Sequence, residues 1–355
     1  MPGPIVELRS DTFTTPTQAM LDAMVRAPLG DDVYAEDPTV RALEEHSAHL
    51  LGKEAGCLMP SGTMSNLAAM MAHAPRGTKV LAGRQSDIYA YEAHGVSVLG
   101  GLALEPVETD AHGRLRMASL TAALPEDADD PQFAVPAVVC VENTANRSGG
   151  VALTAAELAE VADFAAGQGI RFHIDGARIF NAAVALGVAP ADLVRRGDSV
   201  QFCLSKGLSA PIGSVVVGSA SFVQDVRRIR KMLGGGMRQA GVIAAAGLVA
   251  LHDMVDRLAE DHATAQVLAD HLADIPGVEV DPIRLRTNMV RFRVTRPGLS
   301  HPALIELAAQ EGVRVAELGR GTLRAVTHRN VSKADVLRAV SVIAGIVREH
   351  RAVLV

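Results

Sequence analysis

The chain is predicted to be an α/β protein, with a large domain on a mostly parallel sheet of the seven-stranded type and a smaller C-terminal α+β domain. Three observations lead there. The 355 residues, 48% apolar and 21% charged, supply core for about two domains and exclude disordered and fibrous architectures. From about residue 55 to 220, short apolar or β-branched runs alternate with longer amphipathic segments, the rhythm of repeated βαβ units. After Gly234, Gly235 and Gly236 that rhythm stops. A long helical pattern comes next, then strands and helices in another order. The expected division is 1–250 for the large domain and 251–355 for the small one.

The element assignments run in chain order. Residues 79–82, 96–99, 135–141, 170–175, 199–204 and 214–217 read as strands. Between them, 154–168 reads as a helix, with Leu158, Val161, Ala162 and Ala165 on one face and Thr154 as N-cap three residues before Glu157. Residues 237–272 read as one long helix joining the domains. In the C-terminal part, 277–280, 289–294, 313–316 and 322–326 read as strands, and 301–311 and 333–350 as helices. Ligands of open parallel sheets gather at the carboxyl ends of the strands, so residues just past the end of each run are the first candidates for chemistry.

Charge and cysteine use narrow the function classes. With 34 basic and 40 acidic side chains the net charge is −6, so nothing global favours nucleic acid or an anionic membrane as partner. Cys57, Cys140 and Cys203 lie in apolar runs without a CxxC spacing, and read as reduced core thiols of a cytoplasmic protein rather than metal ligands. No apolar run approaches the roughly 20 residues of a membrane span, and the N-terminal stretch does not read as a signal peptide.

Three segments carry chemistry. In Phe172–Arg178 an apolar strand ends in Asp175, glycine follows at the turn, and Arg178 comes three residues after the carboxylate. A helix-capping aspartate with a surface arginine would look the same. In Phe202–Gly207 an apolar strand delivers Lys206, one of only five lysines, to the same edge. An ammonium beside so much apolar surface suits a Schiff-base lysine better than a snorkelling one. In Pro60–Asn66, Ser61, Gly62 and Thr63 open an apolar helix, which suits a phosphate cradle and also an ordinary N-cap. Phosphate cup, carboxylate and lysine together match pyridoxal 5′-phosphate, whose phosphate, pyridine nitrogen and aldehyde need those three partners. Their order is that of the aspartate aminotransferase superfamily, fold type I.

More specifically, LRSDT (8–12), GDDVYAEDPTV (30–40), PSGTMSN (60–66), YEAHG (91–95), ENT (142–144), HIDGARIFNA (173–182), LSKGL (204–208), RKMLGGGMRQ (230–239) and TLRAVTH (322–328) resemble the low-specificity L-threonine aldolases of the β-eliminating lyase group. The resemblance runs in order from about residue 6 to 335. It implies cleavage or formation of β-hydroxy-α-amino acids such as L-threonine and L-allo-threonine, giving glycine and an aldehyde. It also implies roles. Lys206 would carry the Schiff base beside Ser205, and Asp175 would pair with the pyridine nitrogen. Arg178 would lie beside the phenolic oxygen and the substrate carboxylate, which Ser10 and Arg324 would hold. Ser61, Gly62 and Thr63 would bind the phosphate, helped by Arg238 from a neighbouring subunit, and Tyr34 would also reach across. A homodimer or homotetramer with shared sites is therefore expected, with an amino acid as substrate.

Two positions depart from the family pattern. Asp87 stands where a ring-stacking histidine is usual, and Ala145 where another histidine usually lies near the substrate's β-hydroxyl. Asp87 becomes the candidate catalytic base, since Ala145 can neither accept nor donate a proton. The same departures raise an alternative, a related enzyme catalysing β-elimination, transaldol transfer or racemisation of a specialised amino acid. His94 is a further candidate imidazole.

Overall fold

The apolar runs ending at Asp175 and Cys203 lie at the centre of a seven-stranded sheet, where both faces are covered. The computed structural model describes residues 4–282 and 287–349. A short strand β1 (Val6–Glu7) precedes the sheet. Its own strands are β2 (Ala55–Met59), β3 (Lys79–Gly83), β4 (Ala103–Val107), β5 (Pro136–Glu142), β6 (Arg171–Asp175), β7 (Ser199–Cys203) and β8 (Ser214–Gly218). They are arranged in the order β2, β8, β7, β6, β5, β3, β4, and β8 runs antiparallel to both neighbours while the other pairings are parallel. Alternate residues feed opposite cores. Val139 and Val141 of β5 join Phe172, Ile174 and Phe202 on one face, whereas Val138 and Cys140 join Cys57, Met70 and Val216 on the other. The three cysteines are all buried and unpaired with one another.

The C-terminal region adds β9 (Val278–Val280), β10 (Met289–Val294), β11 (Val313–Arg314), β12 (Ala316–Gly319) and β13 (Thr322–Val326). β12, β13, β10 and β9 form an antiparallel sheet, while β11 pairs in parallel with β1. The N-terminal strand thus packs into the C-terminal core with Phe292, Leu304 and Val336. The chain leaving β1 then carries Ser10 and Asp11 toward the main sheet. No helix among the described residues is long and apolar enough to cross a membrane.

Three expected elements differ. The single strand over 313–316 is split between β11, which ends at Arg314 and pairs with β1, and β12, which starts at Ala316 and joins the antiparallel sheet. Residues 96–99 form no strand: Gly95–Val98 is a short helix, and the edge strand is instead β4, whose ALEPV sequence holds a proline and a glutamate. Four mostly apolar residues after a glycine, Val96, Ser97, Val98 and Leu99, cannot by themselves distinguish strand from helix, and edge strands tolerate proline and charge. The single helix over 237–272 is two, Gly241–Asp253 and Leu258–Ala273. The chain turns at 254–257 because Leu251, Met254 and Leu258 pack into the first core while Ala265, Leu268 and Leu272 pack into the C-terminal one. The last helix is described over Lys333–Glu349, and its expected end at 350 lies outside the described residues.

Candidate active site

Loops at the carboxyl ends of β2, β3, β5, β6 and β7 meet at one edge of the sheet. Four of them enclose a cavity of about 190 Å³ lined by Ser61, Gly62, Thr63, Asn66, Asp87, Tyr91, Glu92, Asp175, Gln201, Ser205 and Lys206, among others. Ser61 caps the helix Gly62–His73 by accepting from the Met64 N–H. Gly62 is required by a close approach, since a Cβ there would stand 2.8 Å from the Cys203 sulfur. The first N–H groups of this helix lack intrahelical acceptors and face the cavity rim.

Asp175 is the anionic centre. Its carboxylate accepts from Asn66 Nδ2 at 2.9 Å, from the Ala177 N–H at 3.1 Å and from Gln201 Nε2. Asn66 donates its other amide hydrogen to Glu92 Oε1 at 2.8 Å, and its oxygen meets His173 Nε2 at 3.2 Å. Burial raises the Asp175 pKa, with Lys206 pulling the other way and Asp87 adding to the rise. Burial also pushes His173 down to about 3, leaving a neutral ring. Glu92 is pushed up to about 9 by burial and then by Asp175, and its Oε2 is buried without a partner.

Lys206 follows β7 and lies at the cavity wall, held through its backbone carbonyl, which accepts from Thr14 Oγ1 at 2.8 Å. Its ammonium forms no ion pair or hydrogen bond among the described residues. Burial would lower its pKa, but Cys203, Asp87 and Asp11 outweigh burial and the Arg178 charge, and the net direction is upward.

A second layer surrounds this centre. Arg178 is buried with its fork on Asp11, Nε to Oδ2 at 2.7 Å and Nη2 to Oδ1 at 2.6 Å. Asp11 also accepts from Asn288 Nδ2 at 3.1 Å. Burial opposes the Asp11 charge, yet Arg178 holds its pKa well below the usual carboxylate range. Asp87 accepts from Asn146 Nδ2 at 3.0 Å, and Asn146 Oδ1 accepts from Arg324 Nη1 at 2.6 Å. Glu142 accepts the N–H groups of both Asp87 and Asn146 at 2.6 Å. Desolvation first, then Asp87 and Asp175, raise its pKa far above the ordinary value. Arg324 gives Nη2 to the Arg9 carbonyl at 3.1 Å and keeps a buried Nε without a partner.

The cavity thus brings together Lys206, Asp87, Ser61, Gly62, Thr63, Asp175 and Ser205. Arg178 and Arg324 stand in the surrounding layer, and Ser10 caps its own short turn by accepting from the Thr12 N–H at 3.2 Å. Tyr34 and Arg238 do not line it. Tyr34 is 71% exposed, and Arg238 pairs with Asp31 at 2.9 Å. Ala145 does not line it either. Its Cβ faces Gly113, where an added Cβ would come within 2.4 Å. His94 is exposed and sets its ring edge on Tyr89. Sequence reasoning missed Asp11, Asn66, Glu92, Glu142, Asn146, Gln201 and Asn288 as site residues. Asp11, Asn66, Glu92 and Glu142 lie inside motifs that were visible, and that membership was their signal.

The donor set fits pyridoxal 5′-phosphate. An unpaired ammonium, a buried carboxylate cradled by two amides and free N–H groups at a helix start surround one cavity. Residues 7–295 match the Beta-eliminating lyase family. The chain is 41% identical over 334 residues to the low-specificity L-threonine aldolase 1 of Arabidopsis thaliana, covering 93% of each protein. It is also 41% identical over 332 residues to the low specificity L-threonine aldolase of Escherichia coli K12, covering 94% of this chain and 96% of that one. A solved threonine aldolase of Leishmania major superposes with a TM-score of 0.80 at 20% identity, covering 96% and 98%, which shows the fold. The chain therefore belongs to the pyridoxal-phosphate-dependent β-eliminating lyases, within the group of low-specificity L-threonine aldolases.

Proposed function

We propose that the chain cleaves β-hydroxy-α-amino acids such as L-threonine and L-allo-threonine to glycine and an aldehyde, and catalyses the reverse condensation. The observation that carries this reading is the unpaired Lys206 ammonium sharing a cavity with the cradled Asp175 carboxylate. When bound, pyridoxal 5′-phosphate supplies an electron sink conjugated to the substrate's α-carbon. Asp175 keeps the far end of the site negative, and Asn66 and Gln201 fix its orientation. The free Arg324 Nε offers a charge-assisted hydrogen bond to the substrate carboxylate, with Ser10 and Arg178 nearby on the same side.

Asp87 is the proposed acceptor for the β-hydroxyl proton. Its carboxylate stands at the cavity wall, oriented by Asn146, and Asn146 is oriented in turn by Arg324. That chain couples the substrate-carboxylate grip to the base without either imidazole. Ser61, Gly62, Thr63 and Ser205 are assigned to the phosphate and to the cofactor's face. Tyr34 and Arg238 are assigned to a neighbouring subunit's site. Residues 1–250 are read as the cofactor-binding domain, 251–355 as the small domain, and the cytoplasm as the compartment.

The test is direct. Purified protein loaded with pyridoxal 5′-phosphate should release acetaldehyde from L-threonine and L-allo-threonine, and benzaldehyde from phenylserine. Lys206→Ala should lose the visible absorbance of the lysine adduct and at least about 10³-fold in kcat. No aldehyde from any of the three substrates would overturn the aldolase assignment and favour the alternative chemistry.

A further inference from the structure

Beside the cavity lies a second, larger cleft of about 380 Å³ whose walls carry Arg84, Arg147, Arg291, Arg293, Arg320 and Thr322. Five guanidinium groups converge there, on a protein whose net charge is −6. Only two have carboxylate partners among the described residues: Arg84 meets Glu108 at 2.9 Å and Arg291 meets Asp281 at 3.0 Å. Arg147 gives its hydrogen bonds to the Tyr91 hydroxyl and the Leu318 carbonyl, both neutral. Arg293 gives Nε to Thr322 Oγ1, and Arg320 is exposed at the tip of the β12–β13 hairpin.

The fold holds these charges together at a cost. Arg291 stands directly across from Arg324 in the β10–β13 register, and like charges in that position repel. Arg293 lies two residues on, so it shares the same face of β10. Arg291 Nε is buried without a partner. Desolvation lowers the Arg291 pKa, Asp281 resists, and Arg293 and Arg147 lower it further. Arg320 adopts a left-handed backbone at φ 54°, a conformation that disfavours a side chain with a Cβ and fixes where this guanidinium starts. A concavity in which three of five guanidinium groups have no carboxylate partner among the described residues attracts a polyvalent anion.

We propose that this cleft is a binding site for a small polyvalent oxyanion, a phosphate ester or a polycarboxylate. It adjoins the catalytic cavity through one wall, because Arg147 rests on Tyr91 with its guanidinium 5.4 Å from the ring centre, and Tyr91 lines the Lys206 cavity. The anion is therefore either a free ligand or the distal group of a longer amino-acid substrate, and both present the same chemistry to the arginines.

The experiment is isothermal titration of the cofactor-loaded enzyme with inorganic pyrophosphate and with citrate, against chloride at matched ionic strength. Saturable binding of the two polyvalent anions is expected, weakened about tenfold or more in the double variant Arg293→Ser, Arg320→Ser. Absence of binding, or equal affinity in the double variant, overturns the site. Because calorimetry needs no turnover, that failure would leave the aldolase assignment standing. Kinetics then separate the two sources. If the double variant raises KM for 4-phosphooxythreonine, a β-hydroxy-α-amino acid whose distal group is a phosphate ester, and leaves that for L-threonine unchanged, the anion belongs to the substrate. If both KM values stay unchanged while pyrophosphate binding is lost, the anion is a free ligand.

Discussion

Glu92 and Asp11 are two buried carboxyl groups that the same fold drives in opposite directions. Arg178 holds Asp11 ionised, and removing either partner would strand a buried charge. Glu92 instead goes from the ordinary value 4.5 to about 9 through burial and then Asp175. The folded protein therefore keeps a proton on Glu92 that the unfolded chain releases between those two values, so this group's contribution falls as pH rises across that window. Glu92→Gln mimics the neutral acid and keeps the oxygen that accepts from Asn66. In the cofactor-free protein, the melting temperature of the variant minus that of wild type should be smallest near pH 5 and should grow toward pH 9. A difference that does not change with pH would show Glu92 ionised throughout. At this scale Asp175, which ends β6, and Lys206, three residues past the end of β7, were legible because each follows an apolar run, a pattern that local sequence displays. Asp11 was not, since its partner Arg178 lies 167 residues away and no local periodicity encodes such a pairing.

Asp37 shows how one side chain can fix two elements. As N-cap of Pro38–Leu50 it accepts the N–H groups of Thr39 and Val40 on Oδ1, each at 3.0 Å. Its Oδ2 accepts the Gly30 N–H at 3.2 Å and the Gly241 N–H at 2.9 Å, the latter at the start of Gly241–Asp253. A Cβ at Gly241 would stand 2.5 Å from that carboxylate, which explains the glycine. Asp37→Asn keeps one accepting oxygen and turns an amide NH₂ toward two N–H donors. The expected loss is on the order of 2 kcal/mol or more, read as a lower urea midpoint, with Asp37→Ala at least as severe. An unchanged midpoint would remove Asp37 from this role. The helix over 155–167 shows what sequence can convey at this level, since Thr154 and Glu157 form the capping box their spacing implies. The break at 254–257 was illegible. It contains neither proline nor glycine, and it arises from the need to serve two separate cores.

For the whole molecule, the arrangement of charge around the cavity bears on assembly. Its lining includes the carboxyl groups of Asp87, Glu92 and Asp175 but, among the described residues, Lys206 as its cation. A phosphate at Ser61–Thr63 would therefore need a positive charge from elsewhere. Arg238 and Tyr34 lie together on the surface. Arg238 pairs with Asp31, its carbonyl accepts the Asp32 N–H at 2.9 Å, and Tyr34 follows two residues on with Val33 exposed beside it. Asp32 is anchored from below by buried Arg230 at 2.7 Å, so the patch is rigidly mounted and turned outward. If this patch completes a neighbour's site, Lys206→Ala and Arg238→Ala should complement one another. In a hybrid dimer, the subunit that keeps Lys206 would receive Arg238 from its partner. Co-expressed or refolded at equal amounts, the two inactive variants should recover about one quarter of wild-type activity, because half of the random pairs are hybrids and each has one intact site. Were Arg238 to act within its own chain, both sites of every hybrid would be defective and the mixture would stay as inactive as its parents.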